Sequence, residues 1–311
     1  MNFDEDQIIG VLAQIFGANH RGVTIGIGDD AAVVATGAHT VITTDMAVEG
    51  THFNCQWSGA FEIGRKITAA NLADVYSMGA TATYLVVAVT LTGHESLEWI
   101  SELAEGIKHE ASSCGAVVVG GDLTRGPVKV ISMTALGEVD SAITRSGAQV
   151  GDSIYLSSLP GWSAAGLDAI EIDELNDLQS YAVDEFCAPT VDYAMAVAFA
   201  NKGANAMCDI SDALIIQANQ VAKASGVQLV FDAQAFEKDS EFAQLQEVAD
   251  AAQIDPWQWI FAGGEDHVFL ATGKNLPGLC VGVVQAGSGV LGLEMKKAPD
   301  TWRHFNKCKS N

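Results

Sequence analysis

Three apolar runs of strand length finish on an aspartate: "HTVITTD" at Asp45, "AVVVGGD" at Asp122 and "NAMCD" at Asp209. Acids at strand ends line one rim of a sheet, where α/β proteins gather their ligands. The intervening segments have helical spacing. In "GRKITAANLADVYSMGA", Ile67, Ala70, Leu72, Val75 and Met78 predict a helix that stops at Gly79, and residues 6–16 and 97–113 predict two more. The valine-rich run "TYLVVAVTL" predicts a central strand. "VISMTALGEV" and "GVQLVFD" read as further strands, and "AAGLDAIEI" as a helix after the turn at Pro160-Gly161. "DELNDLQSYAVDEFCAPT" reads as less regular. At 311 residues the chain accommodates two domains. The expected division falls between residues 140 and 150, giving segments 1–143 and 144–311.

Charge narrows the partners. There are 39 acidic against 16 basic residues, a formal net charge of −23, which repels nucleic acid and anionic membranes. A phosphorylated substrate would find few bases here, so divalent cations would do much of the neutralising; acidity for solubility alone is the plainer reading. No apolar run reaches the roughly 18 residues that span a bilayer, and the start "MNFDEDQIIG" lacks a basic leader region. Six scattered cysteines without a CxxC pair predict reduced thiols in the cytoplasm.

Several motifs have competing readings. "GIGDDA" fits half of a dinucleotide fingerprint, but Asp29 and Asp30 would repel a pyrophosphate unless a metal intervened. An aspartate after a strand is a turn or cap residue in many chains. Here Asp30, Asp45, Asp122 and Asp209 recur together, and Asp212 stands three residues beyond Asp209 at a helix entrance. Asn71 and Asp74 share a helix at the same spacing. Oxygen ligands of this kind suit Mg²⁺. There is no GxxxxGK[ST] phosphate loop. "GSGVLG" at residues 287–292 predicts a hairpin turn. Ser163 lacks the second glycine of a nucleophile elbow, because Ala165 stands there. His52 in "EGTHF" and Glu265-Asp266 in "AGGEDH" are functional loops or ordinary polar turns.

Collected in order, "GIGDDAAVV", "TTDMAVEGTHF", "NLADVYSMGA", "VVGGDLTRGP", "TRSGAQVGDSIYLS", "GWSAAGL", "CDISDAL", "GGED" and "TWRHF" resemble the thiamine-monophosphate kinases, in the superfamily of aminoimidazole ribonucleotide synthetase. The match spans nearly the whole chain. The resemblance implies an α/β (α+β) fold of two domains, with an N-terminal mixed sheet forming a barrel across a homodimer and a C-terminal α/β sandwich. It implies transfer of the γ-phosphoryl group of ATP to thiamine monophosphate, giving thiamine diphosphate. By the family motif, Asp30, Thr43, Thr44, Asp45, Asp74, Asp122, Asp209 and Asp212 would hold several Mg²⁺ ions. Gly121, Asp122, Arg145 and Ser211 would contact ATP, while His52, Glu265 and Trp302 would contact thiamine monophosphate. No covalent nucleophile is implied. The chain departs from the pattern at Ala213, His267 and Trp162, and "CAPT" replaces the usual Arg-Pro-x-Pro; none of these removes a carboxylate. A selenophosphate synthetase would need a reactive cysteine before Cys55, and a hydrogenase-maturation relative would end on cysteine. A metal-dependent phosphatase and a non-catalytic nucleotide-binding module are the readings outside the superfamily.

Overall fold

The computed structural model describes residues 5–17, 20–27 and 31–292, so Asp30 and Trp302 lie outside the described residues. Helix α1 (Glu5–Phe16) leads to a short antiparallel ladder of β1 (Val23–Ile25) and β2 (Val33–Val34). Then come β3 (Thr40–Val48), α2 (Ala60–Ser77), β4 (Thr81–Leu91), α3 (Leu97–Ser113), β5 (Val117–Arg125) and β6 (Val130–Glu138). Their strands form a sheet in the order β3-β6-β4-β5, in which only β4 and β5 run parallel. Helix α2 stops where expected, because Gly79 adopts the left-handed conformation (φ 72°) that a Cβ would disfavour.

The second half contains β7 (Ser153–Leu156), α4 (Trp162–Ala169), α5 (Asp177–Cys187), α6 (Tyr193–Asn201), β8 (Ala206–Asp209), α7 (Leu214–Ser225) and β9 (Gln228–Phe231). It continues with α8 (Ala233–Phe236), α9 (Ser240–Ala252), α10 (Pro256–Ala262), β10 (Phe269–Gly273), β11 (Leu279–Gln285) and β12 (Gly289–Leu291). These strands form a sheet in the order β12-β9-β11-β7-β10-β8.

Strand alternation in this sheet separates the two larger of three hydrophobic clusters, the third being Ile8, Leu91 and Ile100. Ile154, Leu156 and Cys208 face a core shared with Leu214, Val221, Leu245 and Ile260. Tyr155, Met207 and Phe269 face the other way, into a core with Ile63, Ile67, Leu72 and Val75 of α2 and with Ile131 and Met133 of β6. Helix α2 is therefore packed between the two sheets. The opposite face of the first sheet leaves Ile42 66%, Met46 59% and Val86 36% exposed.

Four expectations change. Asp45 and Asp122 do not end their strands: β3 runs on to Val48 and β5 to Arg125. After Asp45 the alternation resumes with buried Ala47, which keeps the ladder going. Asp209 alone of the three ends its strand. "GSGVLG" is no hairpin, because β12 pairs in parallel with β9 and the chain passes the end of that strand, with Gly287 (φ 143°) and Gly289 (φ 79°) making the bend. The segment read as irregular contains α5, started by a capping box in which Asn176 and Gln179 exchange side-chain-to-backbone bonds. The five described cysteines are free thiols. Among the described residues no helix is long and apolar enough to cross a membrane.

Candidate active site

The carboxylates that matter most are assembled by α2. Asn71, fully buried, donates to the Ile67 carbonyl (2.9 Å), and its Oδ1 accepts from the Asp45 amide (3.1 Å), pinning β3 to the helix. One helical turn on, Asp74 Oδ2 accepts from the Thr43 hydroxyl at 2.7 Å. Thr43 and Asp45 are two apart on a strand, so both face α2. The end of β8 brings Asp209 to the same place, where its Oδ2 accepts from His267 Nδ1 at 3.0 Å.

Electrostatics records this convergence. The Asp74 carboxyl is pushed up to about 6, first by burial, then by the Asp209 charge, with Asp45 adding to it; the Thr43 hydrogen bond and His267 oppose the rise. Burial alone would depress His267, yet its bond to Asp209 and the surrounding carboxylates raise the imidazole above its ordinary value. The Arg145 guanidinium lies near Cys208, the residue before Asp209 that faces the other side of β8: burial pushes the Cys208 thiol up to about 12, Asp209 adds to that, and Arg145 opposes it.

The neighbouring loops are packed backbone to backbone. The Glu265 amide donates to the Ser211 carbonyl (2.7 Å), and the His267 amide to Ile210 (3.1 Å). A Cβ on Gly264 would strike the Ser211 and Asp212 carbonyl oxygens, so glycine is required there. Ser211 and Asp212 sit before α7, not on it, so helical spacing does not orient Asp212 with Asp209. Instead Gln217, 1% exposed, holds this loop: its Oε1 accepts from the Ala213 amide at 2.9 Å and its Nε2 donates to Ser211 Oγ at 3.2 Å. The three residues of "EDH" separate. Asp266 turns inward and accepts from the Gly161 and Ser163 amides, both 2.9 Å, capping α4, so it is not available to a ligand. Glu265 turns outward to an ion pair with Lys66 at 2.8 Å. His52 lies in the turn after β3, and its Nδ1 accepts from the Val48 amide at 3.1 Å, which leaves the ring proton on Nε2.

Other anticipated residues lie elsewhere within the chain. Thr44 points to the uncovered face of the first sheet, its hydroxyl donating to the Met133 carbonyl at 2.9 Å. Asp122 pairs with Ala88, and through Ser132 with Met46, which puts it on that same face. It stands on β5, three strands from β3, or roughly 14 Å at the usual strand spacing. Gly121 backs so closely on Val87 that a Cβ would collide with its carbonyl. Lys66 and Gln217 were not anticipated. The available signal was a polar side chain on an otherwise apolar helix stripe: Lys66 falls between Ile63 and Ala70.

The oxygen donors suit a hard divalent cation. Among the described residues, no three His, Cys, Asp or Glu side chains close around one ion by themselves.

The model of the AIR synthase related protein N-terminal domain matches residues 28–139, and that of the C-terminal domain residues 149–272. Thiamine-monophosphate kinase from Mycobacterium tuberculosis is 38% identical over 275 residues, covering 87% of this chain and 79% of the relative. The crystal structure of thiamine-monophosphate kinase from Stenotrophomonas maltophilia superposes with TM-score 0.77 at 28% identity, covering 92% of this chain and 94% of that one. The structure of AaThiL complexed with AMPPCP and TMP superposes with TM-score 0.78 at 27% identity, covering 86% and 87% respectively. Built from these two AIR synthase related domains and matched along most of its length, the chain belongs to the thiamine-monophosphate kinase family.

Proposed function

We propose that the chain transfers the γ-phosphoryl group of ATP directly to thiamine monophosphate, giving thiamine diphosphate and ADP. The observation that carries this reading is the meeting of Asp45, Asp74 and Asp209 at α2, in a chain whose family is a kinase family. Its relative AaThiL binds AMPPCP and TMP together.

Two phosphorylated ligands repel one another, and phosphoryl transfer depends on positioning and neutralisation more than on covalent chemistry. Bound Mg²⁺ would supply that neutralisation and polarise the phosphate oxygens. Asp45, Asp74 and Asp209 would hold it. By the family motif Asp30, Thr43 and Asp212 are further ligands, and Gly121 and Ser211 are ATP contacts; the motif also includes Thr44 and Asp122, which lie on the other face of the first sheet and would serve a separate ion. The Thr43 hydroxyl orients Asp74, and Asn71 fixes the backbone beneath Asp45. Arg145 adds a fixed positive charge toward the transferring group. His52 and Glu265 would recognise thiamine monophosphate, with Trp302 against its ring. No side chain needs to carry the phosphoryl group, so the displacement is in line and leaves no phospho-enzyme. The reaction would run in the cytoplasm.

The test is incubation with ATP, Mg²⁺ and thiamine monophosphate. Thiamine diphosphate and ADP should appear in equal amounts, and Asp74→Asn should lose turnover by orders of magnitude while keeping its fold. ADP with free phosphate and no diphosphate would mean a phosphatase; bound ATP without turnover would mean a binding module.

A further inference from the structure

Lys66 belongs to α2, yet among the described residues its ammonium bonds to the second half of the chain. It is 8% exposed. Its Nζ donates to the Phe186 carbonyl at 2.7 Å and to Glu265 Oε2 at 2.8 Å, and it stands 4.1 Å from the centre of the Phe186 ring. Phe186 in turn meets the indole of Trp57, 6.2 Å between ring centres, on the segment that follows His52. One ammonium thus ties α2, the end of α5 and the loop of Glu265.

Glu265 is an unusual residue to hold so firmly. It is not glycine, yet its φ is 65°, a conformation that persists only where the surroundings impose it. Its amide bond to Ser211 and its carboxylate bond to Lys66 impose it. The carboxylate remains 42% exposed while the Lys66 side chain is only 10% exposed, so the negative group faces outward with its counter-ion behind it.

We propose that Lys66 is a positioning residue for Glu265, setting that carboxylate to receive the positively charged ring of the substrate. This rests on the thiamine monophosphate kinase reading above. Two effects of Lys66 oppose each other. Its charge weakens the pull of Glu265 on a cation, and its hydrogen bond removes the side-chain freedom that a ligand would otherwise have to freeze. The ammonium is also 2.8 Å from the carboxylate and behind it, where a ligand cannot take its place. Positioning therefore outweighs attenuation, and removing Lys66 weakens substrate binding.

The sign of that effect is the experiment. Lys66→Met keeps the length and apolar stem but leaves the buried Phe186 carbonyl without its donor, so its melting temperature is read beside its kinetics and Lys66→Arg is the second variant. The expected result is a KM for thiamine monophosphate raised about tenfold, with kcat and the KM for ATP changed far less. In a Glu265→Gln background the same substitution should add almost nothing, since Lys66 acts through Glu265. Lys66→Arg, if it folds better than Lys66→Met, should recover part of the KM. A KM that falls or stays constant in Lys66→Met, or one that rises equally in both backgrounds, overturns the proposal. Melting temperature separates a structural tie: a large drop with unchanged KM also overturns it. A wild-type protein unable to phosphorylate thiamine monophosphate removes both readings, whereas an active wild type with a normal Lys66→Met KM removes only this one.

Discussion

Asp266 is buried, and burial pushes its carboxyl up to about 6 from 3.8, although the Ser163 and Gly161 amides oppose the rise. A carboxyl whose folded pKa exceeds its unfolded value stabilises the fold most when protonated. That contribution is complete below about pH 4 and is lost as the pH climbs through about 6. Two units correspond to about 3 kcal/mol. Asp266→Asn keeps one acceptor for α4 and cannot titrate. Wild-type stability relative to this variant should therefore be greatest near pH 4.5 and decline toward pH 7, read by urea unfolding at both. A difference that does not vary with pH would sink this account. The sequence offered Glu265 and Asp266 as one acidic turn; only the fold separates the outward carboxylate from the inward cap.

Helices α2 and α3 cross with their backbones touching. A Cβ on Gly64 would strike the Leu103 carbonyl oxygen, and one on Gly106 the Phe61 carbonyl oxygen. Alanine favours a helix over glycine by about 1 kcal/mol, but forcing a methyl group between two backbones costs about 1–3 kcal/mol or more. Gly106→Ala should accordingly lower the melting temperature, against its helix propensity; a higher one would refute the close crossing. Both helices were legible from their apolar stripes, and so were β4, β6 and β9. The ends of β3 and β5 were not: Asp45 is tolerated inside β3 because it faces α2 with Asn71 and Thr43 beside it, whereas Asp122 inside β5 lies on the uncovered face of the sheet. The carboxylate cluster was foreseen as a rim of strand ends, yet Asp45 joins it through α2. Lys66 escaped notice because its partner Glu265 lies 199 residues away.

At the scale of the molecule, the uncovered sheet face with Ile42, Met46 and Val86 supports the homodimer expected from the family resemblance. We expect an assembly of twice the 32.6 kDa chain mass by light scattering. Met46→Glu, placing charge on that face away from the carboxylate cluster, should yield monomers with an unaltered fold. A wild-type monomer, or a dimer indifferent to Met46→Glu, would remove this face from the assembly. The expected division at residues 140–150 remains our proposal for the domains, and the two halves carry separate sheets.

Those sheets nevertheless share α2, whose Leu72 and Val75 lie in one core with Met207 and Phe269 while Asn71 and Asp74 hold β3. A helix common to both halves couples their melting, so neither has a private transition. Ligands bound beside α2 would then draw on the folding equilibrium of the entire chain, by RT ln(1 + [L]/Kd). The protein is then its own binding assay: a single melting curve should move upward as ATP is titrated in, reading occupancy at a site to which both halves contribute.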